Sequence, residues 1–327
     1  MVVALGGLAT TADLIRGGAS ARGLTAALQS GSTRQPRRGW HTTLPQNAPR
    51  VVAVAAGGRL TGAAALHHFH AWRWRKPSHL DVVLPHGASV PPGTERIRFT
   101  RRPAGWRAGG SKLRGATPGM VAVADALVHA IPRETFEEAV ALLDWSLKTG
   151  RLDEFEMIEL TLRLPVTCRA IVNWVDPRCD SFLESVVRTR LRLLGYRVSS
   201  QIPVEGFGGI DLVVENCVGI ELDGREFHVK AFENDRRKDL AIVIDGRSSL
   251  RVSYDMVVNE WHIFEAAVER AVSSHRTSRW RRRGSSTAKL RAATSARPWS
   301  LPRQREPPGA PGGPKGMPPR DERLRSS

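Results

Sequence analysis

Apolar and polar residues alternate along the stretch Gly208–Gly224, GGIDLVVENCVGIELDG. Period-two alternation predicts half-buried strands, and the apolar positions are Ile210, Leu212, Val214, Val218, Ile220 and Leu222. For both apolar sets to share one face of a sheet, Val214 must lie opposite Val218. This requirement predicts a β-hairpin with an odd, three-residue loop, Glu215–Cys217.

The same patterning predicts the elements on either side of this hairpin. In chain order we expect a helix over 180–194, a strand over 196–204, the hairpin, a helix around 235–242, a strand over 250–253 and a helix over about 256–272. The last helix carries an apolar stripe at helical spacing, and Gly195 ends the first. Residues 176–272 are therefore predicted to form an αβββαβα domain.

The pattern before residue 176 divides into two regions. Residues 1–47 predict a short helix after a threonine cap, a second helix capped by Ser20, and a turn around Arg37-Arg38, which together indicate a winged helix-turn-helix. Residues 48–175 predict a mixed α/β region. It has strands at 51–55 and 80–84, a helix over 60–74, and a helix that opens with a capping box at Thr135 and ends at Lys148. The fold class is therefore α/β in content and α+β overall.

Charge and composition add a tail to this organisation. The chain has 327 residues and a net charge of +17. Residues 273–327 contain 14 basic and three acidic side chains in a Pro-, Gly- and Ser-rich sequence. We therefore expect them to form a disordered basic tail. Such a tail would either raise nonspecific affinity for nucleic acid or only solubilise the protein.

The cysteine spacing and the lack of a long apolar run limit the cellular compartments and the cofactors that the sequence favours. The three cysteines, Cys168, Cys179 and Cys217, are widely separated, which favours neither a disulfide framework nor a zinc ribbon. No apolar run approaches the length of a membrane span, and the first residues do not resemble a signal peptide. We expect a cytoplasmic protein with no membrane partner.

The hairpin also carries the candidate chemistry. The predicted register places Asp211 opposite Glu221, with Asp223 two residues further along the same face. Like charges directly opposed destabilise a sheet, so this arrangement favours a bound divalent cation. A cluster in the middle region, His67, His68 and His70, lacks the spacing of metal ligands and a nearby acidic partner, and we expect packing or surface roles for it.

The N-terminal sequence GGLATTADLIRGGASARGLTAALQSGSTRQPRRGWHTT resembles the winged helix of AbiEi-type antitoxins from abortive-infection systems, and LTGAAALHHFHAWRW resembles the start of that family's second region. The resemblance implies operator DNA binding and a toxin partner. In winged-helix geometry the second helix and the wing meet DNA, so the expected contacts are Arg22, Arg34, Arg37 and Arg38. The alternative is a small protein-docking domain.

Four ordered motifs resemble a domain related to very-short-patch-repair endonucleases, within the PD-(D/E)XK nuclease superfamily: DSFLESVVRTRLRLLGY, GIDLVV, GIELDGREFH and ENDRRKDLAI. The resemblance implies a restriction-endonuclease-like fold that hydrolyses phosphodiester bonds with Mg²⁺. It implies that Asp211 and Glu221 hold the ion, that Glu184 supports the site, and that Asp223 stands where the superfamily has a lysine. It also makes His228 a candidate for water activation.

Two readings of function follow. In the first, activity depends on His228, which as a histidine titrates near working pH, on Lys230 or on a second metal ion to supply what the missing lysine normally does. Arg236, Arg237 and Lys238 could bind the DNA backbone. The chain would then be a Mg²⁺-dependent endonuclease. Alternatively the nuclease-like fold is degenerate and the protein is a non-catalytic, antitoxin-type transcriptional regulator. Glu184 would then only close a capping box, and the charges of 235–239 would form a solvated helix face.

Overall fold

A computed structural model describes residues 1–91, 96–101, 117–204, 208–223 and 232–294, with side chains described outside 232–235 and 278–294. Met1–Arg276 forms one compact unit and Thr277–Ser327 a second. The chain mixes helices with several small sheets, as the α+β prediction requires. None of the helices in the described ranges is long and apolar enough to cross a membrane.

The N-terminal residues form short, side-chain-capped elements. They are a 3₁₀ helix at Val3–Leu5, β1 at Leu8–Thr10, α1 at Thr11–Arg16, α2 at Ala21–Gln29 and β2 at Trp40–Thr42. The hydroxyl of Thr10 accepts from the N–H of Asp13 at 3.1 Å, and that of Ser20 from Gly23 at 3.0 Å. Both predicted helix starts are therefore confirmed. Strands β1 and β2 pair antiparallel.

The middle region packs helices around a three-stranded sheet. Its elements are α3 at Pro49–Ala55, β3 at Arg59–Leu60, α4 at Gly62–His68, β4 at Leu80–Leu84, β5 at Ile97–Arg101, α5 at Val123–Ala130, 3₁₀ helices at Ile131–Arg133 and Val166–Trp174, α6 at Phe136–Lys148 and α7 at Glu154–Arg163. The sheet order is β3-β4-β5, with β3 antiparallel and β5 parallel to β4. The capped helix predicted to run from Thr135 to Lys148 is confirmed as α6.

Two predictions in the middle region are corrected by the structure. The helix expected over 60–74 spans only Gly62–His68, because Leu60 belongs to β3, which pairs with β4. Residues 51–55 were expected to form a strand, and they lie in α3. A short apolar run is compatible with a buried helix as well as a buried strand. Pro49 decides between them, because it occupies the first turn of the helix, where a missing N–H costs nothing.

The C-terminal region follows the predicted order, with its last helix divided. Its elements are α8 at Phe182–Leu193, β6 at Val198–Val204, β7 at Gly208–Val214, β8 at Val218–Asp223, α9 at Phe232–Ile244, β9 at Ser248–Ser253, α10 at Tyr254–Asn259 and α11 at Trp261–Thr294. The sheet order is β6-β7-β8-β9, and only the β8–β9 pair is parallel within it. Helix α11 continues past residue 273, where disorder was predicted.

The hairpin buries the apolar face that the alternation predicts. Leu212, Val214, Val218 and Ile220 pack in one cluster against α8 and α11. Ile210 is also buried, but it packs with Val213 and with Ile242 of α9. Helices therefore cover both faces of this sheet.

A buried ion pair joins the middle region to the C-terminal sheet. Asp144 of α6 is fully buried, and its Oδ2 accepts from Arg188 Nη2 at 2.9 Å and from Ser185 Oγ at 2.5 Å, both on α8. Its Oδ1 accepts from the N–H of Asp176 at 2.7 Å. One carboxylate thus fixes α8 and the segment before it against α6.

Replacing Asp144 should be strongly destabilising, because the Arg188 guanidinium would remain buried without its counter-charge. We expect Asp144→Asn to lower the free energy of unfolding by about 3–5 kcal/mol, measured by urea denaturation of the full chain. Arg16→Ala is the control, since it breaks the exposed Arg16–Asp13 pair and should cost less than about 1 kcal/mol. Equal losses in the two variants would contradict the role assigned to Asp144.

Candidate active site

The hairpin register brings two of the predicted carboxylates side by side. Leu212 pairs with Ile220 and Val214 with Val218, which confirms the three-residue loop. The β7–β8 pairing ends at Leu212, but Asp211 Oδ2 accepts from the N–H of Leu222 at 2.9 Å, and the charge of Asp211 is among the causes that raise the pKa of Glu221. The two carboxylates therefore lie close together at the end of the hairpin.

The loop accommodates its odd length through left-handed backbone. Glu215 and Asn216 have φ values of 50° and 57°, and the N–H of Cys217 donates to the carbonyl of Val214 at 3.0 Å. Asparagine tolerates this conformation better than most residues. Cys217 is the third residue of the loop, and it makes the number of loop residues odd, so that Val214 pairs with Val218.

Gln201 of β6 links Glu184 to Asp211. Its Nε2 donates to Glu184 Oε2 at 2.9 Å and lies 3.5 Å from Asp211 Oδ1. Gln201 has φ of 52° within a strand, a strained conformation for a residue with a side chain. Gly209 leaves room for the amide, since a Cβ there would lie 2.9 Å from Gln201 Oε1. Sequence analysis did not identify Gln201.

Glu184 is held at the start of α8 by two backbone contacts. Its N–H donates to the hydroxyl of the capping residue Ser181 at 3.2 Å, and its Oε2 accepts from the N–H of Asp180 at 2.8 Å. The expected serine cap is therefore present, but the carboxylate accepts from Asp180 and not from the N–H of Ser181, so the reciprocal bond of the predicted capping box is shifted by one residue. The same carboxylate also reaches Gln201. Capping and site membership are compatible for this residue.

Lys238 of α9 is the second site residue whose position the sequence did not indicate. Its Nζ donates to Glu221 Oε2 at 2.5 Å, and both side chains are largely buried. Lys238 was expected at the DNA backbone. The structure instead places it in the carboxylate cluster.

Close packing of α9 on β8 explains how Lys238 arrives there. A Cβ on Gly219 would lie 2.8 Å from Ile242 Cγ2, so the glycine permits the helix to approach the strand. Lys238 precedes Ile242 by four residues, a rise of about 6 Å along a helix. Glu221 follows Gly219 by two residues, about 6.6 Å along a strand. The two spacings match, and the ammonium reaches the carboxylate.

Burial and mutual repulsion set the protonation of the carboxylates. Burial, with the charge of Asp211 adding to it, raises the pKa of Glu221 to about 7, although Lys238 acts in the opposite direction. Burial also raises the pKa values of Asp211 and Glu184. Oε1 of Glu221 has no hydrogen-bond partner within the described ranges. A buried acceptor without a partner is costly, so this oxygen is suited to a ligand.

Asp223 lies in a different interaction. Its Oδ1 accepts from Arg251 Nη1 of β9 at 2.7 Å, and Arg251 also lies 3.4 Å from Asp239. The parallel register sets Arg251 next to Glu221 along the sheet. Asp223 is therefore the counter-ion of an arginine at the edge of the cluster.

The remaining predicted residues are distributed over other surfaces. Arg236 and Arg237 are exposed on α9, and Arg22 and Arg38 are exposed near the N-terminus. Arg34 donates to the carbonyl of Leu44. Arg37 lies over Gly57. His228 and Lys230 lie outside the described residues.

The donor set can be compared with the needs of Mg²⁺. Across the described residues, no group of three or more His, Cys, Asp or Glu side chains is arranged to hold a metal ion. Mg²⁺ is ordinarily bound by one or two carboxylates together with water and substrate phosphates. Asp211 and the unpartnered Oε1 of Glu221 fit that pattern, because both are oxygen donors whose negative charges destabilise each other.

Comparisons with known proteins give few matches. No protein-family model matches the chain, and no curated protein matches it. Among solved structures, it is similar to the crystal structure of RV2827C protein from Mycobacterium tuberculosis, with 19% identity and a TM-score of 0.32 over 60% of this chain and 78% of that chain. A likeness of this degree supports no assignment of fold or function.

Proposed function

We propose that the chain is a DNA-binding protein with a Mg²⁺-dependent, endonuclease-like site at Asp211 and Glu221. The observation that supports this most is that the half-buried Asp211 lies close to the buried Glu221, whose pKa is raised to about 7 and whose Oε1 has no hydrogen-bond partner among the described residues. Perturbed titration at a buried pair is typical of functional sites. The four motifs that resemble the very-short-patch-repair-type domain lie on the same elements.

In this proposal Asp211 and Glu221 hold Mg²⁺. The ion would supply charge neutralisation at the phosphate and a more acidic water. Asp211 is oriented for this role by the N–H of Leu222, which donates to its Oδ2 at 2.9 Å, and by Gln201. Glu184 positions Gln201 in turn. These contacts hold the carboxylate in a fixed rotamer before any substrate arrives.

Lys238 takes over the charge that the superfamily's lysine would provide. Asp223 occupies the sequence position of that lysine, and it is neutralised by Arg251. The Lys238 ammonium instead enters from α9 and meets Glu221 at 2.5 Å. It lowers the pKa of Glu221 and places a positive charge where a scissile phosphate would approach. A missing lysine in the motif therefore does not require an inactive site.

DNA would be bound by two sets of cations. Arg236 and Arg237 precede Lys238 on α9 and are exposed, which suits phosphate contacts beside the site. The capped helices α1 and α2, followed by β2, supply the elements of a winged helix. Arg22 on α2 and Arg38 before β2 would then contact the duplex.

A second candidate is the non-catalytic, antitoxin-type regulator with a toxin partner. The observation in its favour is that Glu221 already has an internal counter-ion in Lys238, so the cluster needs no metal ion to be partly neutralised. Such a protein would bind operator DNA through its N-terminal elements, and its binding would depend on Arg22 and not on Asp211.

Divalent-dependent cleavage should require Asp211. We expect the wild type to nick supercoiled plasmid with Mg²⁺ or Mn²⁺, and Asp211→Asn to lose this activity by at least about a hundredfold, since it removes one carboxylate ligand. Asp245→Asn, at an exposed carboxylate of the same region, is the matched control. No nicking with either metal in the wild type, or equal rates in the two variants, would reject the nuclease proposal.

Lys238 should be needed for activity near neutral pH. Lys238→Met should reduce the nicking rate about tenfold or more and shift the acidic limb of the pH–rate profile to higher pH, because the ammonium lowers the pKa of Glu221. Lys238→Arg should recover part of the rate. A profile that falls in height without moving on the pH axis would indicate a structural role only.

Stability should depend on the ionisation of Glu221. Its pKa in the folded state is about 7, against an ordinary value of 4.5, so the folded state binds the extra proton between these values. Stability from this group is therefore full below about pH 4.5 and declines as the pH rises to about 7. Without metal, the wild type should lose on the order of 2–3 kcal/mol relative to Glu221→Gln between pH 5 and pH 8.

Urea denaturation of both proteins in the presence of a chelator measures this difference. Glu269→Gln, at an exposed glutamate, is the control and should keep the wild-type pH dependence. Mg²⁺ added at pH 8 should raise the stability of the wild type but not that of Asp211→Asn. Parallel pH curves for the wild type and Glu221→Gln would show that Glu221 titrates normally.

A further inference from the structure

A cleft of about 750 Å³ lies on the opposite side of α8 from the carboxylates. Arg190 of α8 lines it, as do residues of α10 and the segment Arg73–Ser78. Phe182, which packs on Trp74 at the cleft, and Glu184 are two positions apart on α8, about 200° around the helix. The cleft is therefore a separate site, in the size range of small-molecule pockets.

Three cations of the lining have no carboxylate counter-ion among the described residues: Arg75, Lys76 and Arg133. Arg75 and Lys76 are exposed on one segment. Arg133 is also exposed, and it donates to the carbonyl of His129 and to Thr100 Oγ1. Uncompensated cations that line one concavity favour an anionic ligand.

Two further arginines of the lining are held in place by ion pairs. Arg98 contacts Asp81 through two N–H groups, at 2.9 and 3.3 Å. Arg73 is largely buried and uses one N–H for Glu134, at 2.9 Å. Its Nε has no hydrogen-bond partner in the described part of the chain. These ion pairs hold Arg98 and Arg73 in fixed positions, and the Nε–H of Arg73 remains available to donate a hydrogen bond.

Other lining residues have a different chemistry. Asp255 and Asn259 of α10 line the cleft, joined by a 2.7 Å hydrogen bond from Asn259 Nδ2 to Asp255 Oδ1, and Glu138 lines it as well. Carboxylates repel a continuous phosphate backbone, but they accept hydrogen bonds from hydroxyl and amino groups. The cationic and acidic residues of the lining together fit a compact ligand that carries both an anionic group and hydroxyl or amino groups.

Aromatic packing holds three residues of the lining, Trp74, Arg190 and Tyr254, in place. Trp74 meets Phe182 and Tyr254 edge-to-face, with ring centroids 4.6 and 5.3 Å apart. The Arg190 guanidinium lies 5.9 Å from the Trp74 ring centroid and 5.0 Å from that of Trp261. Because these side chains are already fixed, less conformational entropy is lost when a ligand binds.

We propose that this cleft binds a nucleoside diphosphate or an organic phosphate of the same class. The phosphates would contact Arg75, Lys76 and Arg133, and the hydroxyl or amino groups would face Asp255 and Asn259. This site does not depend on nuclease activity, and it gives the protein a means of responding to a small phosphorylated molecule.

Isothermal titration of the full chain with ADP tests the proposal. The variant Arg75→Ala/Lys76→Ala should bind ADP about tenfold more weakly or worse, since each charged hydrogen bond contributes about that factor. Arg16→Ala/Arg270→Ala removes two exposed arginines outside the cleft and should bind as the wild type does. Pyrophosphate should bind more weakly than ADP, and Asp255→Asn should reduce that preference.

The outcomes separate this proposal from the nuclease proposal. Asp211→Asn should bind ADP normally even if it abolishes plasmid nicking. Absence of ADP binding at millimolar concentrations, equal affinity in the cleft variant and its control, or equal affinity for ADP and pyrophosphate would overturn the proposal. So would preferential binding of an oligodeoxythymidylate at the same residues. If the double variant does not fold, Arg133→Ala provides the same comparison.

Discussion

The buried carboxylate of Asp144 is the constraint on which the C-terminal region depends. It receives Arg188 and Ser185 from α8 and the backbone N–H of Asp176, so three donors compensate the loss of hydration. These contacts determine the rotation of α8 about its own axis. Rotation in turn decides which side chains of α8 face the sheet and which face the cleft. Both candidate sites therefore depend on one ion pair that belongs to neither.

The carboxylate cluster differs from Asp144 in its partners. Asp144 accepts three hydrogen bonds, although burial still raises its pKa, whereas Asp211 and Glu221 repel each other and one oxygen of Glu221 lacks a partner among the described residues. Lys238 offsets only part of this destabilisation. Replacing Glu221 alone would leave the largely buried Lys238 ammonium without its counter-charge, so the stability of each depends on the other. The proposed Mg²⁺ would instead bind the unpartnered oxygen of Glu221 and offset the repulsion between the two acids.

The structural features that the sequence predicted correctly arise from local signals, such as helix caps, or from periodic apolar patterns. Alternation from Leu212 to Ile220 determined the register of β7 and β8, because a shift by one residue would expose the apolar face. Ile210 departs from the alternation and packs with α9. Hydroxyl caps identified the starts of α1, α2 and α6. The strand predicted at 51–55 failed because its apolar run has no period and Pro49 settles its conformation. The length of α11 was missed because Arg, Ala and Lys continue a helix without any apolar stripe.

Gln201 and Lys238 were missed as site residues for a different reason. Neither carries a local signal: Gln201 is a polar residue in a strand, and Lys238 stands in a charged run that also suits a solvent-exposed helix face. Their roles arise from contacts between elements distant in sequence, through the small side chains of Gly209 and Gly219. A glycine within a strand often marks such a close approach. In this chain each of those glycines lies two residues before a site carboxylate, so the glycines of GGIDLVV and VGIELD indicate where other elements reach the site.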